Sequence, residues 1–228
     1  MPETFGYELT LGGRYAGVQE WVIRPDKGQL VARVQTDFSG ALPAGRRIQE
    51  SRMQPQTFVS AAYAEAEGQS RRPHFETIFD ERSGLVTLRQ GKDEASQPLL
   101  TPHHDPLSLL LWLRASEHTP EDTVRLVGGV VHVQVLPDSS VHGLPAHVYF
   151  LRPGGAYVYV EAQEPRRLLR LIQPSDFGPV EATLNLERPR SAARPDERGA
   201  DRGAQRPPEK PSERRGGQSG KPRRRGRG

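Results

Sequence analysis

Thr101-Pro-His-His-Asp-Pro-Leu-Ser-Leu-Leu-Leu-Trp-Leu-Arg-Ala115 is the stretch on which the fold turns. Asp105 is a good N-cap, and Pro106 then falls on the first helical position, where its missing N–H costs nothing. Behind them Leu107, Leu109, Leu110, Leu111, Trp112 and Leu113 wrap around the whole axis, broken only by Ser108 and Arg114. A helix that is apolar all round asks for burial on all sides. At about ten residues it is far short of the ~20 that a bilayer span needs. The stretch therefore predicts a buried plug, a helix near residues 105–116 enclosed by something else.

The flanks supply the enclosure. On the N-terminal side Phe5, Tyr7, Leu9 and Leu11 alternate with Gly6, Glu8 and Thr10, which marks a half-buried strand. Gly12-Gly13 turns the chain into a second strand over Tyr15–Ile23, and Pro25-Asp26-Lys27-Gly28 turns it into a third with Leu30, Ala32, Val34 and Phe38 on one face. More polar strands follow over Arg46–Met53, Thr57–Glu65, Pro73–Asp80 and Leu85–Gln90. Ala61–Glu67 carries helical propensity that competes with the strand reading, and Lys92–Pro102 reads as a polar loop leading to the helix. Beyond the helix, Thr123–Val127 and Val130–Leu136 flank Gly128-Gly129, and Ala146–Arg152 and Ala156–Glu161 flank Pro153-Gly154-Gly155. Arg167–Ile172 and Val180–Glu187 complete the series. About a dozen short strands joined by tight turns predict a mainly β fold, a curved antiparallel sheet or barrel around one short apolar helix. There is no α/β alternation to suggest a doubly wound or barrel α/β fold.

From Arg188 onward the composition changes. Pro, Gly, Arg, Ala, Ser and Glu dominate, and there is no aromatic residue, Ile, Leu or Val. Such a segment has too little apolar surface to offset ordering entropy, so the sequence predicts a β domain over 1–188 and a disordered basic tail over 189–228. The tail holds 13 Lys/Arg against 5 Asp/Glu, so the overall charge of +4 leaves the remainder near −4. A basic arm on a mildly acidic body is the pattern.

Tyr7-Glu8-Leu9 followed by Gly13-Arg14-Tyr15-Ala16-Gly17, the helix start Asp105-Pro106-Leu107-Ser108, and the amphipathic stretches Arg167–Ile172 and Val180–Leu186 together resemble a bacterial family of β-rich domains, domain of unknown function three-one-zero-eight. The resemblance covers residues 4–187. It implies a shape similar to the half-barrel of lipoprotein carriers and brings no catalytic residues. Many members of that family are exported. This sequence departs from them in its basic tail and in an N-terminus without a basic n-region or apolar h-region. The expectation is a cytoplasmic protein without a membrane span.

Candidate chemistry is sparse. There is no cysteine, so disulfide and thiolate chemistry is excluded. His103-His104-Asp105 has ligand types suited to Zn²⁺ or Fe²⁺, but neighbouring histidines seldom reach one ion and Asp105 is already committed to the helix start. His132, His142 and His147 lie on strands and read as half-buried polar groups. No P-loop, dinucleotide fingerprint or nucleophile elbow occurs. No metal or cofactor is expected. The arginine pairs Arg46-Arg47, Arg71-Arg72 and Arg166-Arg167 read as solvated strand ends, or as a phosphate-contacting stripe continuous with the tail. In the tail, Arg214, Arg215, Lys221, Arg223, Arg224, Arg225 and Arg227, set among Gly and Pro, suit flexible contact with phosphates. Asp105 and Trp112 are the structural residues of the helix. The functional expectation is a non-enzymatic binding module for a hydrophobic small molecule or a protein partner. A nucleic-acid-associated protein binding through the tail is the first alternative, and an enzyme of unrecognised type the second.

Overall fold

The computed structural model describes residues 2–186, apart from 69, 71, 116–117 and 120–121. These residues lie within the first of two units, Met1–Ala192. Eight strands come first: β1 (Glu3–Leu11), β2 (Arg14–Asp26), β3 (Gln29–Phe38), β4 (Gly45–Met53), β5 (Ser60–Glu67), β6 (Phe75–Asp80), β7 (Leu85–Gln90) and β8 (Asp93–Pro98). Then come β9 (His103–His104), the helix α1 (Pro106–Ala115), and β10 (Thr123–Leu126), β11 (Gly129–Val141), β12 (Leu144–Arg152), β13 (Ala156–Glu161), β14 (Leu168–Gln173) and β15 (Val180–Leu184).

All fifteen strands form one sheet, in the order β8-β7-β6-β5-β4-β3-β2-β1-β15-β14-β13-β12-β11-β10-β9. Every neighbouring pair is antiparallel except β9 with β10. The sheet is thus two meanders sewn together where β1 pairs β15, with Leu9 opposite Ala182 and Leu11 opposite Val180. It does not close, and β8 and β9 are its free edges.

The helix contacts both β4 and β13. These are six strand steps apart in the sheet. In a flat sheet that is about 29 Å at ~4.8 Å per step, far more than the ~10–12 Å diameter of a helix. The sheet must therefore curl around α1, as an open sheet of this size is disposed to do. The concave lining is apolar, with Tyr7, Leu9, Trp21, Val34, Leu151, Val158 and Leu171 buried against Leu107, Leu110, Leu111 and Leu113.

Three sequence expectations need correction. The segment 92–102 is not simply a loop: β8 occupies Asp93–Pro98, with all six residues exposed. An edge strand wet on both sides has no alternation to reveal it. β11 runs on to Val141, past the point where apolar alternation stops, because Ser139, Ser140 and Val141 keep pairing with β12 after an irregularity at Leu136. In the helix, Ser108 is fully buried, whereas Trp112 is only partly buried. The helical propensity of Ala61–Glu67 loses to pairing on both sides, by β4 and β6. The 189–228 segment lies outside the described residues.

Candidate functional site

Two places on the concave side carry polar groups beside the apolar lining. The first is a closed node at the start of α1. Asp105 Oδ1 accepts from the N–H of Leu107 at 2.8 Å and of Ser108 at 3.0 Å, the N-cap arrangement. Its Oδ2 accepts from Ser51 Oγ on β4 at 2.5 Å and Ser60 Oγ on β5 at 2.7 Å. The Asp105 N–H donates back to Ser60 Oγ at 2.7 Å and Ser108 Oγ at 2.9 Å. Burial pushes the Asp105 carboxyl above its usual range, against these donors, which pull the other way. Ser108 Oγ stands 3.3 Å from His104 Nδ1, and the His104 ring also donates to the Phe58 carbonyl. Burial, with His103 beside it, pushes the His104 pKa down to about 4. His103 Nδ1 donates to the Leu100 carbonyl at 2.6 Å, while its Nε2 is buried without a partner.

Ser, His and Asp meet here, but not as a nucleophile relay. The aspartate accepts from serines rather than from the imidazole, and Ser51, Ser60, Ser108, His104 and Asp105 are all buried. The node ties the helix N-terminus to β4 and β5. Among the described residues no group of three or more His, Asp or Glu is placed to hold a metal ion. His147 Nδ1 faces Asp138 at 3.0 Å, His132 lies opposite Arg152, and His142 sits in the β11–β12 turn with φ of 51°, so the three do not converge.

The second place is a cavity of about 500 Å³ at one mouth of the curl. That volume is in the ~300–1,000 Å³ range of small-molecule sites. Its walls differ in character. Leu9, Leu171, Val180 and Ala182 from the β1–β15–β14 side and Leu107 and Leu110 from α1 form the apolar wall. The β2–β3–β4 side presents Gln19, Thr36, Gln49 and Arg47. Strand register explains the split. Arg47 is opposite Thr36, Thr36 opposite Gln19 and Gln19 opposite Tyr7, one row on the inner face. The polar groups are braced: Trp21 Nε1 donates to Gln19 Oε1, Gln19 Nε2 to Thr36 Oγ1, and Gln49 Nε2 to Tyr63 Oη. Phe177 stands on the lip with 62% of its surface exposed. It is presented by a turn in which Ser175 Oγ donates to the Gly178 carbonyl at 2.6 Å.

The Arg46-Arg47 pair is split by strand alternation on β4. Arg46 pairs with Asp37 at 2.6 Å, while Arg47 lies over the Phe38 ring at 5.4 Å. Arg167 makes a two-pronged bond to Glu161, and Arg166 donates to the Arg114 carbonyl at the end of α1. Arg72 is exposed, and Arg71 lies outside the described residues. The described members are therefore separate contacts rather than a stripe. The tail residues Arg214, Arg215, Lys221, Arg223, Arg224, Arg225 and Arg227 also lie outside the described residues. The cavity was not legible in sequence. Its polar row joins positions 19, 36 and 47 through sheet register, with Gln49 two residues further along β4, which no local spacing records.

An open, curled sheet holding one helix and an amphipathic mouth defines a β-rich, barrel-like class of domain. Among solved structures the chain is similar to the crystal structure of a β-barrel-like protein of domain of unknown function DUF1849 from Brucella abortus, with a TM-score of 0.53 and 9% identity, over 81% of this chain and 95% of that one. At that identity the likeness concerns the fold. No family model and no curated protein matches the chain. The similar structure thus supports a β-rich domain of unknown function, and not the three-one-zero-eight family in particular. Among the described residues no helix is long and apolar enough to cross a membrane.

Proposed function

We propose that the domain is a non-enzymatic binding module that takes a hydrophobic or amphiphilic small molecule into the mouth cavity. The observation that carries this reading is the cavity itself, about 500 Å³ with an apolar wall continuous with the core and a braced polar wall facing it. The motif resemblance to the three-one-zero-eight family, and through it to lipoprotein-carrier half-barrels, agrees with this reading. Trp21 lines the cavity and is one of two tryptophans in the chain. In a Trp112→Phe variant, a brominated alkyl compound should quench Trp21 fluorescence saturably. Val180→Phe, which fills the apolar wall without adding a second tryptophan, should weaken that binding at least tenfold. Quenching that never saturates, or that Val180→Phe leaves unchanged, overturns the reading.

A second reading rests on charge asymmetry. The segment 189–228 carries 13 Lys/Arg against 5 Asp/Glu, and Arg214, Arg215, Lys221, Arg223, Arg224, Arg225 and Arg227 are its densest part. In this reading the tail contacts nucleic acid without sequence preference, each neutralised phosphate releasing a counterion. Full-length protein should then retard single-stranded or duplex nucleic acid, with affinity falling steeply between 50 and 200 mM salt. A chain ending at residue 188, near −4, should lose the affinity. Equal affinity after truncation would refute the tail as the contact.

A further inference from the structure

We propose that the mouth cavity selects a single-chain amphiphile with a carboxylate head, the head being read by Arg47. This rests on the cavity being a ligand site. Arg46 and Arg47 are adjacent in sequence but point to opposite faces of β4. Arg46 is neutralised by Asp37, itself held by Gln35 at 2.9 Å. Arg47 has no carboxylate within ion-pair distance among the described residues, although Glu67 stands opposite it across β4–β5. Its guanidinium is instead laid over the Phe38 ring. Stacking on an aromatic face orients the planar fork and leaves its N–H edges free, the form in which arginine takes a carboxylate with two parallel hydrogen bonds.

The surroundings define what such a group would recognise. Arg47 sits at the polar edge of a cavity whose opposite wall is Leu9, Leu171, Val180 and Ala182. A ligand spanning both must have a charged end and an alkyl body. Asp176 lines the same mouth. A head with two negative charges, such as a phosphate monoester, would meet about twice the repulsion from that carboxylate that a monoanionic head meets. Gln49 Nε2 is already donated to Tyr63 and Glu65, and Gln19 Nε2 to Thr36. Among the groups named on the polar wall, the guanidinium is the positively charged one, and its own N–H groups donate to no neighbour among the described residues.

The test compares decanoate, decyl phosphate and decanol against the full-length protein by isothermal titration calorimetry at pH 7.5. Decanoate should bind about tenfold tighter than decanol, since a charge-assisted pair adds roughly that factor, and tighter than decyl phosphate. In Arg47→Gln the ratio of decanoate to decanol affinity should fall to near one. In Arg46→Gln, on the other face, it should stay as in the parent. Circular dichroism of both variants confirms that they fold. Equal binding of decanoate and decanol by the parent overturns carboxylate selection while leaving the cavity reading standing. Preference for decyl phosphate overturns the choice of head group. Binding of none of the three overturns both.

Discussion

At His104 the burial that keeps the node dry also holds the imidazole neutral, its pKa down at about 4. The unfolded chain returns it to about 6.5. Between those values the unfolded state binds more protons, so this residue's contribution is complete above pH 6.5 and is lost as pH falls towards 4. The integrated loss is about 3 kcal/mol for a shift of this size. Asp105 works in the opposite sense. Its folded pKa is raised, so its contribution is full below about 3.8 and is lost as pH rises through the folded value. Measured by urea unfolding, the parent should therefore lose stability relative to His104→Gln as pH falls from 6.5 to 4, Asp105 being common to both. An equal slope in both would show that His104 is not what titrates. How much of this node can be read in sequence follows from distance along the chain. Asp105 as a cap is local, set by Pro106 and the leucines after it. Its partners Ser51 and Ser60 lie 54 and 45 positions away, and only the fold brings their hydroxyls to it.

At the level of elements, the helix is held at both ends by polar clamps rather than by leucines alone. At its C-terminal end the His118 ring reaches the carbonyls of Trp112 and Leu113 at 3.3 and 3.2 Å and Asp122 at 3.1 Å. Trp112 packs at a tilt of 43° against that imidazole, 4.0 Å between centroids, and at 48° against His104 at 5.8 Å. Its role is thus to join two histidines across one face of the helix. Since it is partly buried, Trp112→Ala should cost about 2–3 kcal/mol, at or below the ~3–5 kcal/mol of a fully buried aromatic. A denaturant midpoint unchanged from the parent would mean that this packing contributes nothing. The helix and most strands were legible because each has an apolar side that repeats with its own period. β8 was not, since both its faces meet water, and its Asp93, Glu94 and Pro98 are residues that guard a sheet edge. β5 reads as helix or strand by propensity, and its neighbours decide.

For the molecule as a whole, thirteen of the fourteen strand pairings join strands that are consecutive along the chain, and one joins its first strand to its last. Every register except Tyr7–Leu11 against Val180–Leu184 and the parallel β9–β10 pair, whose strands are joined through α1, is a matter of local turns. The mainly β class was legible for that reason: local hairpins announce themselves. The seam was not, because β1 and β15 are about as far apart in sequence as two strands here can be. Charge divides the chain in the same plain way, but what the tail contacts is a property of its partner and cannot be read from its own residues. The seam has a further consequence. Sheet order is chain order rotated, with the cut at β8/β9 moved to β1/β15. A circular permutant that starts at Thr101, links residue 186 to residue 2 through a short glycine-rich connector and ends at Leu100 would run from β9 to β8 without a single non-neighbouring step. Its mean contact order falls, so it should reach the same circular dichroism spectrum as a chain of residues 1–186 while refolding faster in stopped-flow dilution from urea. If the two refold at one rate, meeting of the distant ends is not what the parent chain waits for.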